Sequence, residues 1–189
     1  MMFDPMGYMA KKVEKAAALE GLNLPPHIED VCSVSRCISE DFCDFIKFWK
    51  HNGFWFFDSP SIIRKLAKTE NISLDGTTLF YYEAFEKQYN QDTGGWEDFA
   101  PEPSFPLNVK VPKEADRQLL GYDVVTYYVL TSPECSPLSC NGLAKEIPAN
   151  KYCLLDDFDE AKRLLEGGAF SNSEPGPYRI IAVYKMKEK

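Results

Sequence analysis

The side chains able to do covalent chemistry are few. Six cysteines fall in two groups, Cys32, Cys37 and Cys43, then Cys135, Cys140 and Cys153, and the chain carries two histidines, His27 and His51. A thiol reacts as its thiolate, so a reactive cysteine needs surroundings that lower its pKa, and a neutral thiol needs a base nearby. Cys140 follows a strand and a loop holding Pro133 and Pro137, and Asn141-Gly142 comes directly after it. The pattern places Cys140 at the start of a helix, where the dipole favours a thiolate. His51 is the candidate base, although the end of a helix is an equally good reason for a histidine there. The candidate catalytic residues are therefore Cys140 and His51. Cys32 to Cys37 and Cys135 to Cys140 each enclose four residues, near the spacing of zinc ligands. If 31–38 is a strand, Cys32 and Cys37 leave opposite faces of it, so no metal site is expected.

Other reactive constellations are missing. No strand runs into a glycine-rich loop carrying a P-loop lysine, and Gly167-Gly168 closes a helix instead of opening one. No cofactor is expected. The carboxylates Asp156, Asp157, Asp159 and Glu160 cluster at a helix start, where capping and the dipole account for them. Candidate binding residues are Tyr81, Tyr82 and Trp96, which combine apolar faces with polar tips, and Glu134 and Asn141 on the rigid loop around Cys135. On these grounds the leading expectation is a non-enzymatic binding or interaction protein, using aromatic and acidic surface on a pseudo-twofold scaffold. The alternative is a thiol-dependent transferase or hydrolase with Cys140 as nucleophile.

Composition narrows the partners. The 189 residues are 44% hydrophobic and 26% charged, with 14% Phe, Trp and Tyr, enough apolar material for one domain spanning 1–189. A net charge of −8 repels phosphate backbones and anionic lipid alike, so neither nucleic acid nor membrane is an expected partner. A protein or small-molecule partner stays open. No apolar run has the length of a membrane helix and the first residues carry no leader pattern, so the expected location is cytoplasmic, with the cysteines reduced.

The elements that must position these residues read as an α+β domain. Met6, Met9 and Val13 recur at helical steps, which predicts an N-terminal helix within 1–29. Residues 30–90 then read as strand, helix, strand, helix, strand, and 121–189 repeat that order. In this reading Phe54-Trp55-Phe56-Phe57-Asp58 aligns with Tyr152-Cys153-Leu154-Leu155-Asp156, and Thr78 with Tyr178. The expectation is a mixed sheet of about six strands with flanking helices, built from two similar halves. The connecting segment 91–120 carries Pro101, Pro103, Pro106 and Pro112, but Trp96, Phe99 and Phe105 call for it to be pinned by burial.

Overall fold

The computed structural model describes residues 2–44, 52–99, 108–127 and 133–187. Its main sheet is antiparallel throughout, with the order β1-β4-β7-β6, formed by β1 (Phe3–Lys11), β4 (Thr78–Asn90), β7 (Tyr178–Met186) and β6 (Arg117–Thr126). A fifth strand, β5 (Gly95–Asp98), turns back on the far end of β4, and β2 (Glu14–Lys15) and β3 (Asp30–Val31) form a separate two-residue ladder. Three α-helices are present among the described residues: α1 (Pro60–Glu70), α2 (Pro137–Cys140) and α3 (Phe158–Glu166).

This architecture overturns the expected mixed sheet of two strand-helix-strand-helix-strand halves behind an N-terminal helix. The chain begins with a strand, and helices are few. Residues Met6 to Lys11 are all buried, because β1 is covered on both faces. With both faces covered, the alternation that announces a strand disappears, and Met6, Met9 and Val13 mimic helical spacing. The two apolar runs expected as strands are also something else. Phe57 bridges to Tyr8 and Leu155 to Tyr122, each as a single isolated pair, and the residues before them form tight turns.

Those turns follow one plan in two places. Asn52 Oδ1 accepts the N–H groups of Phe54 and Phe56, while its Nδ2 donates to Met6 O and Asp58 Oδ1. Asn150 does the same with the N–H groups of Tyr152 and Leu154, Leu120 O and Asp156 Oδ1. Against each turn lies a bulge glycine with positive φ, Gly7 at +128° and Gly121 at +148°. A Cβ on Gly7 would stand 2.6 Å from Phe57 O, and one on Gly121 2.6 Å from Leu155 O, so glycine is required for the close approach. The likeness is thus between two turn-and-bulge contacts, one on β1 and one on β6, and not between the expected halves 30–90 and 121–189.

The helices cover one face of the sheet. Ser59 precedes α1 with Pro60 at its first position, and Ile63 and Ala67 are buried beside β1. Asp157 caps α3 by accepting the N–H of Glu160 at 3.0 Å, and Phe158 packs edge-on against Phe3, Phe85 and Tyr122. Loops cover the other face, where Arg179 is fully buried. Its guanidinium lies 3.7 Å from the Phe99 ring centroid and donates to Phe85 O at 2.6 Å. Burial lowers its pKa to about 10, which leaves it charged at neutral pH. Among the described residues, its Nε and Nη1 have no hydrogen-bond partner.

The connecting segment is ordered where it is described. Trp96 sits on β5, packs edge-on against Phe85 and Tyr89, and donates to Glu166 Oε1 at 2.8 Å. Phe99 stacks on Phe54. Phe105 lies outside the described residues.

Candidate thiol site

Two loops meet over the sheet face opposite the helices. The first, 33–37, is not the strand that the sequence suggests; β3 ends at Val31 and an irregular loop follows. A buried lysine holds it from below. Lys11, at the end of β1, donates to the carbonyls of Ser33 at 2.8 Å, Val34 at 3.2 Å and Ser35 at 2.6 Å. Burial lowers the Lys11 pKa, while Asp41 and Asp123 oppose the shift. From the other edge of the sheet, Asp123 on β6 accepts Val34 N–H at 2.7 Å and Ser136 Oγ–H at 2.6 Å through Oδ2. The 33–35 stretch of the loop is thus held from both edges of the sheet, by Lys11 on β1 and a carboxyl on β6.

The second loop, 133–141, carries Glu134, Cys135, Ser136 and α2. Ser35 joins the two: its N–H reaches Ser136 Oγ at 3.2 Å, its hydroxyl donates to Glu134 O at 2.8 Å, and it lies 3.4 Å from Cys140 Sγ. Cys37 N–H donates to Ser35 Oγ at 3.0 Å and its thiol to Glu134 O at 3.4 Å. These contacts bring the two cysteine-bearing loops together, and Cys37, Cys135 and Cys140 perturb one another's titration. Cys37 is exposed, Cys140 is intermediate and Cys135 is buried.

The neighbouring Cys135 and Cys140 side chains, with smaller effects of Ser35 and the charge of Lys11, outweigh the partial desolvation of Cys37 and pull its pKa well below the ordinary thiol value. Cys135 is pushed up, since its hydrogen bonds to Cys140 and Cys37 favour the protonated form and burial adds to this. For Cys140 the Cys135 thiol favours the anion, but the bond to Cys37 and burial outweigh it and the pKa rises. Of the three, Cys37, the most exposed, is the one whose surroundings favour the thiolate.

The candidates read from sequence divide. Cys140, Glu134 and Asn141 come together here, with Glu134 contributing its carbonyl and Asn141 Oδ1 accepting the Cys135 thiol at 3.5 Å. Cys140 is the last residue of the four-residue α2, so no helix start acts on it. His51 lies outside the described residues, and His27 Nε2 is 2.8 Å from Ala149 O. Tyr81 and Tyr82 are fully buried on opposite sheet faces, because both faces are covered, and Trp96 is on the edge strand. Cys37, Cys135, Lys11, Ser35 and Asp123 escaped the sequence reading. The strand reading of 31–38 weighs Cys37 only against Cys32, although Ser33, Ser35 and Arg36 beside it already mark a polar loop able to reach another part of the chain.

Among the described residues, no group of three or more His, Cys, Asp and Glu side chains is arranged to hold a metal ion. Nor is any helix among them long and apolar enough to cross a membrane. No family model, curated protein or solved structure matches the chain.

Proposed function

We propose that the protein carries out thiol–disulfide exchange, with Cys37 as the attacking thiolate and Cys140 as the resolving thiol. The observation that supports this reading is the convergence of Cys37, Cys135 and Cys140 from two joined loops, with the pKa of the most exposed one pulled down by its neighbours. A thiolate already formed needs no separate base, so the reaction runs without a histidine.

In the first step the Cys37 sulfur attacks one sulfur of a substrate disulfide. A mixed disulfide forms, the substrate S–S bond breaks, and one substrate thiolate departs. In the second step Cys140 gives its proton to that thiolate or to water and attacks the Cys37 sulfur. The mixed disulfide breaks, the second substrate thiol leaves, and Cys37 and Cys140 are joined. The substrate disulfide has gained two electrons and the protein pair has lost two. Ser35 positions the pair through its N–H contact to Ser136 Oγ and through its hydroxyl oxygen, which accepts the Cys37 backbone N–H and lies 3.4 Å from Cys140 Sγ. The neighbouring Cys135 side chain lowers the Cys37 pKa.

The experiment is alkylation of the native protein at pH 6, with the sites read by peptide mass spectrometry, followed by incubation with a small symmetrical disulfide. Cys37 is expected to label at least tenfold faster than any other cysteine, and the second incubation to yield a Cys37–Cys140 bridge with two equivalents of released thiol. Slow labelling of Cys37, or a mixed disulfide that never resolves, overturns the mechanism.

A further inference from the structure

The charge of the chain is not evenly spread. At net −8, any surface concave enough to hold a ligand and carrying excess positive charge stands out. Such a place lies where β4 begins and β7 ends. Two cavities of about 660 and 480 Å³ adjoin there, sharing Thr78, Lys185, Met186 and Lys187 in their walls. Each is within the size range of small-molecule sites.

The larger cavity has four lysines on its rim. Two are neutralised at once, Lys15 by Asp30 at 2.5 Å and Lys151 by Glu29 at 3.6 Å. Lys185 and Lys187 have no carboxylate partner among the described residues; the Lys187 ammonium donates to the carbonyl of Ala115 at 2.9 Å. Both sit in the walls common to the two cavities, so the uncompensated charge stands at their junction. The smaller cavity runs from there over an apolar surface made by Ala10, Pro60, Ile63, Leu74 and Leu79, with Arg64 and Asp116, one charge of each sign, also in its wall. Lysine ammonium groups at the junction and an aliphatic trough beside them match a molecule with an anionic head and an apolar chain.

We propose that this bent groove binds a free amphipathic anion, an aliphatic chain ending in phosphate or carboxylate, with the head at Lys185 and Lys187 and the chain along Ile63, Leu74 and Leu79. A single dissolved molecule senses the local charge of the groove. An anionic bilayer meets the whole chain and is repelled by its net charge. The site is separate from the thiols and stands whether or not the exchange chemistry does.

The test is calorimetric titration with monomeric octyl phosphate and octanoate, together with octylammonium, octanol and inorganic phosphate. One of the two octyl anions is expected to bind with one-to-one stoichiometry, and which one does so identifies the head group. Inorganic phosphate and octanol are expected to bind at least tenfold more weakly, and octylammonium not at all. Lys185 and Lys187 are exposed, so the double charge reversal K185E/K187E should keep the melting temperature and the Cys37 alkylation rate while lowering anion affinity at least tenfold. The proposal is overturned if neither octyl anion binds, if octylammonium binds as well, or if the double variant binds as the native chain does. Binding to phosphatidylglycerol vesicles without binding to either monomer also overturns it, in favour of a membrane surface.

Discussion

Replacing Asp123 with Asn tests the floor of the thiol site through its own titration. The Asp123 side chain is fully buried; Oδ2 accepts two hydrogen bonds, and Oδ1 has no partner among the described residues. Burial pushes its pKa from 3.8 up to about 6, against the opposing pull of Ser136, Val34 and Lys11. Because the folded value is the higher one, the folded state holds the proton more tightly than the unfolded chain. The stabilising contribution is full below the unfolded pKa near 4 and is lost as pH rises through about 6. The rise from 3.8 to about 6 corresponds to a loss of about 3 kcal/mol. Asn presents an oxygen to the same two donors and does not titrate. Urea denaturation of both proteins at intervals from pH 4 to pH 8 should give a stability difference that drifts by about 3 kcal/mol in favour of Asp123→Asn, with most of the drift between pH 4 and 6.5. A flat difference would mean that Asp123 is ionised across the whole range and that the buried carboxylate is fully compensated. A drift in the opposite direction would mean that its pKa is depressed, and would show that Lys11 and the two hydrogen bonds dominate desolvation.

Gly7→Ala and Gly121→Ala should each cost more than about 2 kcal/mol in chemical denaturation, since both place a Cβ at 2.6 Å from a backbone oxygen; a neutral effect of either would show that the bulge can relax. Asn52→Ala and Asn150→Ala each strand two backbone N–H donors, and losses of about 2–4 kcal/mol, similar for the two, are expected from the same assay. Arg179→Met keeps the contacts to Phe54, Phe99 and Tyr127 while removing a buried charge with no carboxylate partner among the described residues, so its melting temperature should match or exceed that of Arg179→Lys, which retains the charge without the planar stack. Cys135→Ala should slow alkylation of Cys37 at pH 6 by several fold without removing it, because the neighbouring thiol that lowers its pKa is lost, whereas Cys140→Ser should leave the mixed disulfide unresolved.

Elements whose signals are local were legible in the sequence. Ser59-Pro60 ahead of Ile63 and Ala67, and Asp157 ahead of Glu160 and Ala161, set the starts of α1 and α3, because a cap and an apolar stripe are written within a few residues of each other. Strand β7 likewise runs over Tyr178–Met186 as its composition suggests. The signals failed where the fold covers both sides of a strand, as at β1, and where an apolar run serves a turn, as at Phe54 to Phe57. There, burial comes from distant parts of the chain, and no local period records it. The site was legible only in part for the same reason. Cys140, Glu134 and Asn141 share one loop and were seen together, but Cys37 and Lys11 reach them only through the sheet.

The way the two turn-and-bulge segments on β1 and β6 differ explains why the site forms where it does. Aligning Gly7 with Gly121 and Tyr8 with Tyr122 puts Met9 opposite Asp123 and Lys11 opposite Val125, so the shared framework carries the cation in one segment and the carboxyl in the other. Strands β1 and β6 are at opposite edges of the four-strand path, too far apart for the two charges to pair directly. Loop 33–37 spans the gap, giving its carbonyls to Lys11 and the Val34 N–H to Asp123. Cys37 then projects from the loop that this polarity has fixed and meets Cys135 and Cys140 from the second loop. Had both segments kept Met9 and Val125 at these positions, the loop would have two apolar anchors and no partner for its carbonyls, and the first thiol would not be held against the other two. Lys11→Met should therefore slow Cys37 alkylation at pH 6 more than loss of a remote charge can explain. Adding Asp123→Asn to it should bring little further change in that rate, since the loop has already been released.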